Sequence, residues 1–235
     1  MLNIIKDFSS VLNKRLKYSV KLDKCNWAFR LCCLFLATDI GFIVLHLIYS
    51  YSDFISNDTF SLEKDRGYSE IFQYVKEYWS ALLLGLLAVE GRSILYLSWS
   101  VLFFYLLLDD AAQIHEHLGA LISSKFSFSA MFNLRAVDFG ELAVSAVVSL
   151  FFLIAIAINY RLGDRLSKNV SKYLITLLFA LAFFGVVVDT LHVILSTPFL
   201  DPLLILVEDG GELVIMSLIV CFVFSLSLQS KKLIE

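Results

Sequence analysis

Proline and charged residues are scarce in this chain. Only 2 of its 235 residues are proline and 17% are charged, whereas about 25% of a soluble domain is charged. With few prolines and little charge, long apolar stretches run without interruption. Hydrophobic residues make up 59% of the chain, against about 45–50% in soluble domains. The composition therefore excludes an ordinary soluble domain and predicts a membrane protein with several spans.

Cysteine is also scarce, and its pattern excludes some sites. The 4 cysteines have no metal-ligand spacing, and Cys25, Cys32 and Cys33 cluster at the start of the first apolar run. This favours small, buried, reduced side chains. The net charge of -3 gives no reason to expect nucleic acid as a partner. The first 26 residues are polar and no small-residue cleavage site follows them, so no cleavable signal peptide is expected.

The apolar runs are much longer than the roughly 10 residues of a membrane barrel strand, which favours helices. Each run can supply the roughly 20 residues that cross a bilayer. They lie at 27–50, 68–89, 93–115, 140–160, 173–195 and 203–228, and the second begins between Tyr68 and Trp79. The predicted fold is all-α, a polytopic membrane bundle of six transmembrane helices. It divides the chain into a cytoplasmic segment 1–26, a membrane domain 27–228 and a cytoplasmic tail 229–235.

Lysine and arginine are distributed unequally between the two sides of this bundle. Most of the 19 lie at 6–30, 161–172, 231–232 and Arg92, which a six-span chain places on one side. The few assigned to the other side include Lys76 and Arg135. Loops that are rich in Lys and Arg stay in the cytoplasm. Both termini are therefore predicted to be cytoplasmic, with the protein in the inner (plasma) membrane.

The first 26 residues have an amphipathic pattern. Apolar residues recur at helical spacing from Ile4 to Leu16, and Lys6, Lys14 and Arg15 lie among them. This pattern predicts a basic helix on the anionic surface of the inner leaflet, so membrane lipids are the expected partner. A mobile tail is the alternative.

Acidic and histidine side chains interrupt three spans near their outer ends. The stretches are LLLDDAAQIHEHL at 106–118, VVDTLHV at 187–193 and LVEDGGELVIM at 206–216. A charge inside a span costs roughly 2.5–3.5 kcal/mol on insertion scales, so such residues indicate function by default. At about 1.5 Å per helical residue, the three stretches reach a similar depth. This coincidence predicts one shared site that faces the outside.

The residue types in these stretches favour a metal. Carboxylates that converge in a low-dielectric pocket need a positive partner or shared protons, and a divalent cation supplies the former. Asp, Glu and His together suit Zn, Fe or Mn. Helical spacing places Asp109 and Glu116 on one face and lets Asp189 touch His192. The predicted metal ligands are Asp109, His115, Glu116, Asp189, His192, Glu208 and Glu212, and Asp209 is a candidate catalytic base.

Each group also has a structural explanation. Asp109 and Asp110 can mark the end of a span, 115–117 can be solvated at the interface, and Asp189 with His192 can be a hydrogen-bonded pair. Asp39 stands alone near the middle of the first span. It is better explained as a packing residue bonded to a neighbouring helix than as a ligand.

Two of the acidic stretches resemble motifs of a known group. DDAAQIHEHLG resembles the D-E-x4-H-E-x-L-G box of a widespread group of uncharacterised bacterial and archaeal multi-pass membrane proteins, and EDGGELVIMSLIVCFVFSL resembles their closing E-E-x2-E-M segment. The similarity covers roughly 27–228. Asp110 and Asp209 stand where that group usually has Glu, and the Pro-Thr-Trp usual at its second span is missing. The resemblance implies a shared topology and site position but no particular reaction.

Three functions remain open at this point. The first is a metal-dependent membrane enzyme that hydrolyses or oxidises a lipid-like substrate. The second is a proton- or cation-coupled transporter that uses the same acids as a relay, although the chain lacks an internal repeat. The third is a non-catalytic sensor or partner subunit in which the acids form a structural polar core.

Overall fold

A computed structural model describes residues 2–131, 133–195 and 197–230, with side chains described from residue 27 to residue 228 outside the two gaps. The described residues are almost entirely helical, and an isolated bridge joins Met131 to Leu134. The helices are α1 (Leu2–Tyr51), α2 (Tyr68–Gly91), α3 (Ile94–Ala112), α4 (Ile114–Phe126), α5 (Ala136–Leu162), α6 (Arg165–Ala182), α7 (Asp189–Leu195) and α8 (Asp201–Ser230). A π-helical turn, Phe183–Val188, joins α6 to α7. The predicted all-α fold is confirmed.

Within the described residues, five helices are long and apolar enough to cross a membrane. They are Trp27–Tyr51, Ile94–Ala112, Ala136–Leu162, Arg165–Leu195 and Asp201–Leu228. The exposed surface carries many large apolar side chains, such as Phe151 and Val147, which suits contact with lipid. These helices indicate a membrane protein. The 24-residue α2 lies outside this group of five and carries Lys76 and Glu77 within its length.

Helix α8 is the centre of the bundle. It packs against α1, α2, α6 and the π-helical turn, and its residues Met216, Ile219 and Val223 are fully buried. The main apolar core continues into α3, where Trp99 is fully buried and donates a hydrogen bond of 2.9 Å from Nε1 to Ser171 Oγ on α6. Burial of a tryptophan with its N–H satisfied stabilises the packing of these two helices.

Several span boundaries differ from the sequence prediction. The third span was predicted to reach His115, but α3 ends at Ala112 because Gln113 adopts a left-handed conformation with φ 51°. The chain then begins a separate helix, α4, where the outer loop was expected to start. The fifth span begins at Arg165 and not at Tyr173. The prediction that Asp109 and Glu116 share a helical face is wrong, because they lie on two different helices.

The amino-terminal helix is continuous across the predicted boundary between residues 26 and 27. Whether the basic segment 1–26 lies on an anionic surface depends on side chains outside the described residues. The end of the predicted tail, residues 231–235, also lies outside them.

Helix α4 packs closely against the start of α5. Gly119 on α4 and Gly140 on α5 face each other, and a Cβ on Gly140 would collide with the carbonyl oxygen of Gly119. Small residues permit this backbone approach. The contact fixes α4 beside α5 and therefore positions His115, which begins the first turn of α4.

The turn between α5 and α6 depends on a helix cap. The Asp164 carboxylate accepts hydrogen bonds from the backbone N–H groups of Ser167, at 3.1 Å, and Leu166, at 3.3 Å. These bonds satisfy donors that have no partner within the helix. The hydrogen bond with Ser167 lowers the pKa of Asp164.

Asp164→Ala is expected to lower the free energy of unfolding by about 1 kcal/mol, whereas Asp164→Asn keeps an effective cap. Because the folded-state pKa is lowered, this stabilisation is complete above the unfolded pKa of about 3.9 and is lost as the pH falls through the folded value. Thermal unfolding of the three proteins at neutral pH measures the difference. Equal stability of the Ala and Asn variants would contradict the cap assignment.

Candidate functional site

Three side chains at the junction of α3 and α4 form a group that could hold a metal ion. Asp109, Asp110 and His115 each offer one ligand atom, and these atoms all lie within 4.8 Å of one another. The left-handed Gln113 makes this possible, because it ends α3 and directs the first turn of α4 back toward Asp109. Two carboxylates and one imidazole form a donor set typical of Zn, Fe or Mn sites.

Asp109 connects the two helices. Its Oδ1 accepts a hydrogen bond of 2.9 Å from the backbone N–H of His115, which satisfies one of the first donors of α4. Its Oδ2 lies 3.2 Å from His115 Nδ1. This contact with the Asp109 carboxylate raises the pKa of His115.

A second set of polar side chains lies deeper, on α2 and α8. Glu77 is almost completely buried and faces Asp110 within hydrogen-bonding reach. Gln73, one turn earlier on α2, donates a hydrogen bond of 3.1 Å from Nε2 to Glu212 Oε2 on α8. Among the described residues, no hydrogen-bond donor reaches Glu77 Oε2 or Gln73 Oε1. Two buried acceptors are therefore available to a ligand.

Glu212 reaches this position because Gly185 in the π-helical turn has no side chain. A Cβ on Gly185 would collide with Glu212 Oε1. π-Helical turns inside α-helices are rare and frequently occur at functional sites. The turn and its glycine thus make room for a carboxyl group at the centre of the bundle.

Gly185→Ala is expected to displace the Glu212 carboxylate without preventing folding, since the colliding atom is the end of a flexible side chain. The hydrogen bond from Gln73 would then be lost. Gln73→Leu should cost about 1–3 kcal/mol in the native background, because it leaves a buried acceptor unsatisfied, and much less in the Gly185→Ala background. Unfolding of the two single variants and the double variant measures this coupling. Gly41→Ala is the matched control, because a Cβ there meets nothing within 4 Å, and additive effects would contradict the displacement.

These groups line one cavity of about 360 Å³, which lies within the range of ligand pockets, about 300–1,000 Å³. One part of its wall carries ionisable side chains: Glu77, Asp109, Asp110, His115, Arg135, Asp138, Glu141, Asp189 and Glu212. The other part is apolar and includes Leu102, Val148, Phe152, Ile156, Leu178 and Leu181. The cavity is therefore amphipathic.

Arg135, which the sequence assigned to the outer side, lies at the polar wall of this cavity. It directly precedes α5, and its Nη2 donates a hydrogen bond of 2.7 Å to Asp138 Oδ1. This bond raises the pKa of Arg135. The guanidinium therefore neutralises Asp138 and leaves most of the other carboxyl groups of the wall without a cation.

A separate polar cluster surrounds His192 on α7. Its Nδ1 lies 2.7 Å from Glu208 Oε2 and its Nε2 lies 3.1 Å from Asp201 Oδ1. Asp189 faces Glu208 within hydrogen-bonding reach. Both ring nitrogens of His192 are engaged by carboxylates, so the imidazole would bind a metal only after one of these contacts breaks.

Lys76 forms a fully buried polar cluster that sequence reasoning missed. Its Nζ donates hydrogen bonds to Asp39 Oδ1 on α1 at 3.1 Å and to the Leu213 carbonyl oxygen and Ser217 Oγ on α8 at 2.8 and 3.3 Å. Ser217 in turn donates a 2.6 Å hydrogen bond to Asp39 Oδ2. Lys76 was predicted to lie among the outer residues, and this is wrong, because it lies inside α2 and is fully buried. Asp39 is bonded to neighbouring helices, as its isolated position suggested.

The predicted site residues fall into two sets, those that line the cavity and those that do not. Asp109, His115, Asp189 and Glu212 line it. Glu116, His192, Glu208 and Asp209 lie outside its lining, so their predicted roles remain predictions. The structure adds Gln73, Glu77 and Asp110. The sequence did indicate Glu77, because it is an acid inside a segment long enough to span a membrane. Its depth could not be predicted, because the start of that segment was not fixed.

The chain matches a family model over most of its length. The model described as "Domain of unknown function (DUF8692)" matches residues 33–226, a range that contains every residue of the cavity wall. No curated protein matches the chain, and no solved structure matches it.

Proposed function

We propose that this protein, which belongs to the DUF8692 family, is a metal-dependent membrane enzyme that hydrolyses an amphipathic, lipid-like substrate. The observation that carries the proposal is the amphipathic cavity with Asp109, Asp110 and His115 in its polar wall. A polar reaction centre beside an apolar chamber suits a substrate with a head group and an alkyl chain.

The proposal includes the orientation of the chain. Helix α2 has the length of a sixth span, and the buried ammonium group of its Lys76 is satisfied by partners on α1 and α8. Six spans, an even number, put both termini on the same side of the membrane. The distribution of Lys and Arg favours the cytoplasm as that side, with the protein in a bacterial-type inner membrane. When the buried Lys76 is no longer counted among the outer residues, the excess of Lys and Arg on the cytoplasmic side becomes larger. The candidate metal group then faces the outer side.

In this mechanism, Asp109, Asp110 and His115 would hold one divalent cation, Zn, Fe or Mn. Such a cation, when bound, lowers the pKa of water and polarises a carbonyl oxygen. Glu77 is the proposed acid–base residue, since it faces Asp110 and its Oε2 has no donor among the described residues. Asp209, the base suggested by the sequence, lies outside the cavity lining. Glu212, oriented by Gln73, contacts the substrate head group.

Elemental analysis of the purified protein tests the proposal. We expect about one Zn, Fe or Mn per chain, and at least about tenfold weaker retention in Asp109→Asn and Asp110→Asn, since loss of a ligand costs more than the 10–100-fold effect of losing an outer-shell partner. Asp209→Asn is the matched control, because Asp209 is an acid near the same level but outside the cavity lining. Absence of these metals from the native protein, or equal retention in all variants, would refute the metal site.

Proton-coupled transport is the second candidate, and a specific observation favours it. Two carboxyl pairs, Glu77 with Asp110 and Asp189 with Glu208, lie within hydrogen-bonding reach, so each pair must share a proton or bind a cation. Proton flux in liposomes that is abolished by Glu77→Gln, in a protein that lacks metal, would favour transport over hydrolysis.

A further inference from the structure

The cavity wall specifies the chemistry of the molecule that fits it. We propose that the cavity takes a single-chain amphiphile whose head group is rich in hydrogen-bond donors and carries no negative charge, such as a long-chain amine or amino alcohol, and that the chain enters from the lipid between α5 and α6. This inference rests on the proposed function, because it names the amine or alcohol half of the acyl compound that the same site would hydrolyse, the other product being a carboxylic acid.

Acidic groups predominate among the ionisable side chains of the polar wall. Seven of its side chains are carboxylic acids, against one guanidinium and one imidazole. The guanidinium, on Arg135, is already bonded to Asp138. An anionic head group would face several carboxyl groups, and like-charge juxtaposition costs several kcal/mol. An excess of carboxyl groups therefore disfavours phosphate and carboxylate head groups, whereas hydroxyl and ammonium groups find acceptors.

Two buried acceptors point to the same chemistry independently of the overall charge. Gln73 and Glu77 are 7% and 1% exposed, both line the cavity, and in the described part of the chain no donor reaches Gln73 Oε1 or Glu77 Oε2. A buried acceptor without a donor costs about 1–3 kcal/mol. A ligand that donates to these oxygens would recover that free energy.

The route for the alkyl chain is visible at the surface. Helix α5 packs mainly on α3 and α4, and its contact with α6 is slight. Ser149 on α5 and Phe179 on α6 both line the cavity and are both exposed, Phe179 by 59%. Ser149 lies midway along α5, and Phe179 lies midway along Arg165–Leu195. Because both helices are long enough to span a bilayer, the opening lies at the level of lipid acyl chains.

The apolar part of the wall continues inward from this opening. Phe152, Ile156, Leu178 and Leu181 line it, and each is buried or partly buried. An alkyl chain that occupies this part places its head group toward Glu77 and Asp110. The two parts of the wall therefore match the two parts of an amphiphile.

Binding of radiolabelled dodecylamine to the full-length protein in nanodiscs of zwitterionic lipid, with empty nanodiscs subtracted, tests the inference. Unlabelled dodecylamine and dodecyl phosphate, which share the same chain, are the competitors. We expect dodecyl phosphate to compete at least about tenfold more weakly, which corresponds to about 1.4 kcal/mol. Equal competition by the two compounds would overturn the assignment of the head group.

The entry route has its own pair of variants. Ser149→Trp fills the opening and is expected to weaken dodecylamine binding about tenfold or more. Leu150→Trp is the matched control, because Leu150 is an exposed neighbour on α5 outside the cavity lining, and it should bind as the native protein does. Native affinity in Ser149→Trp would overturn the route. If Ser149→Trp does not fold, Phe179→Trp tests the same opening from α6.

The same nanodiscs separate this inference from the proposed function. A preference for dodecylamine in a protein that binds no metal would support the inference and refute the enzyme. Metal binding that Asp109→Asn abolishes, without any preference between the two amphiphiles, would refute the inference and leave the enzyme standing.

Discussion

Lys76→Met is expected to lower the free energy of unfolding by about 3–5 kcal/mol, the cost of breaking a buried ion pair by removal of one partner. Lys76 and Asp39 are both 0% exposed, and the ammonium group also binds a carbonyl oxygen and Ser217 on α8. Without the lysine, the Ser217 hydroxyl is the one side-chain donor that Asp39 keeps among the described residues. Unfolding of the purified protein in mixed micelles, monitored by circular dichroism, measures the loss.

The double variant Asp39→Leu, Lys76→Met distinguishes an ion pair from a general packing defect. Because no charge is then left uncompensated, we expect it to recover most of the stability that the single variant loses. Lys64→Met is the control for removing a lysine, since Lys64 pairs with Asp58 at an exposed position and such pairs contribute little to stability. A single variant as stable as the native protein would show that Lys76 does not hold α1, α2 and α8 together.

Gly140→Ala is expected to have the second large effect. Its Cβ would collide with the backbone of Gly119, so the strain cannot be relieved by a change of rotamer and α4 must move away from α5. Overpacking of this kind typically costs about 1–3 kcal/mol. The movement also shifts His115 relative to Asp109, and we therefore expect retention of the metal to fall together with stability.

Gly41→Ala provides the matched control for this substitution. A Cβ at Gly41 meets nothing within 4 Å, and alanine is favoured over glycine inside a helix by about 1 kcal/mol. The control should therefore be as stable as the native protein or more stable, with unchanged metal content. If Gly140→Ala keeps both stability and metal, the close contact of α4 and α5 does not position His115.

Most of the helices could be predicted from the sequence, because helix formation depends on residues that are close together in the chain. Long apolar runs without proline favour helices, and the acids near the outer ends of three runs were visible as exceptions to the pattern. Asp109, His115, Asp189 and Glu212 were singled out in this way, and they line the cavity. The start of helix α2 was placed less accurately, because Lys76 and Glu77 lower the hydropathy of its first half.

The partners of these side chains were not predictable in the same way. Helical spacing places residues on a face of their own helix, but it says nothing about the rotation and register of one helix against another. The sequence joined Asp189 to His192, whereas His192 lies between Glu208 and Asp201. The third span was also predicted to continue through Gln113. A left-handed residue other than glycine is uncommon, and the hydrophobic pattern does not indicate one.

By itself, the sequence determined an all-helical membrane protein with acids near the ends of its apolar helices, because composition and apolar length act on each helix separately. Tertiary structure alone decided which acids share the cavity, that Lys76 neutralises Asp39, and that α5 and α6 leave an opening between them. These features depend on close packing between helices distant in sequence. Glycines such as Gly140 and Gly185 set that packing by the side chains they lack.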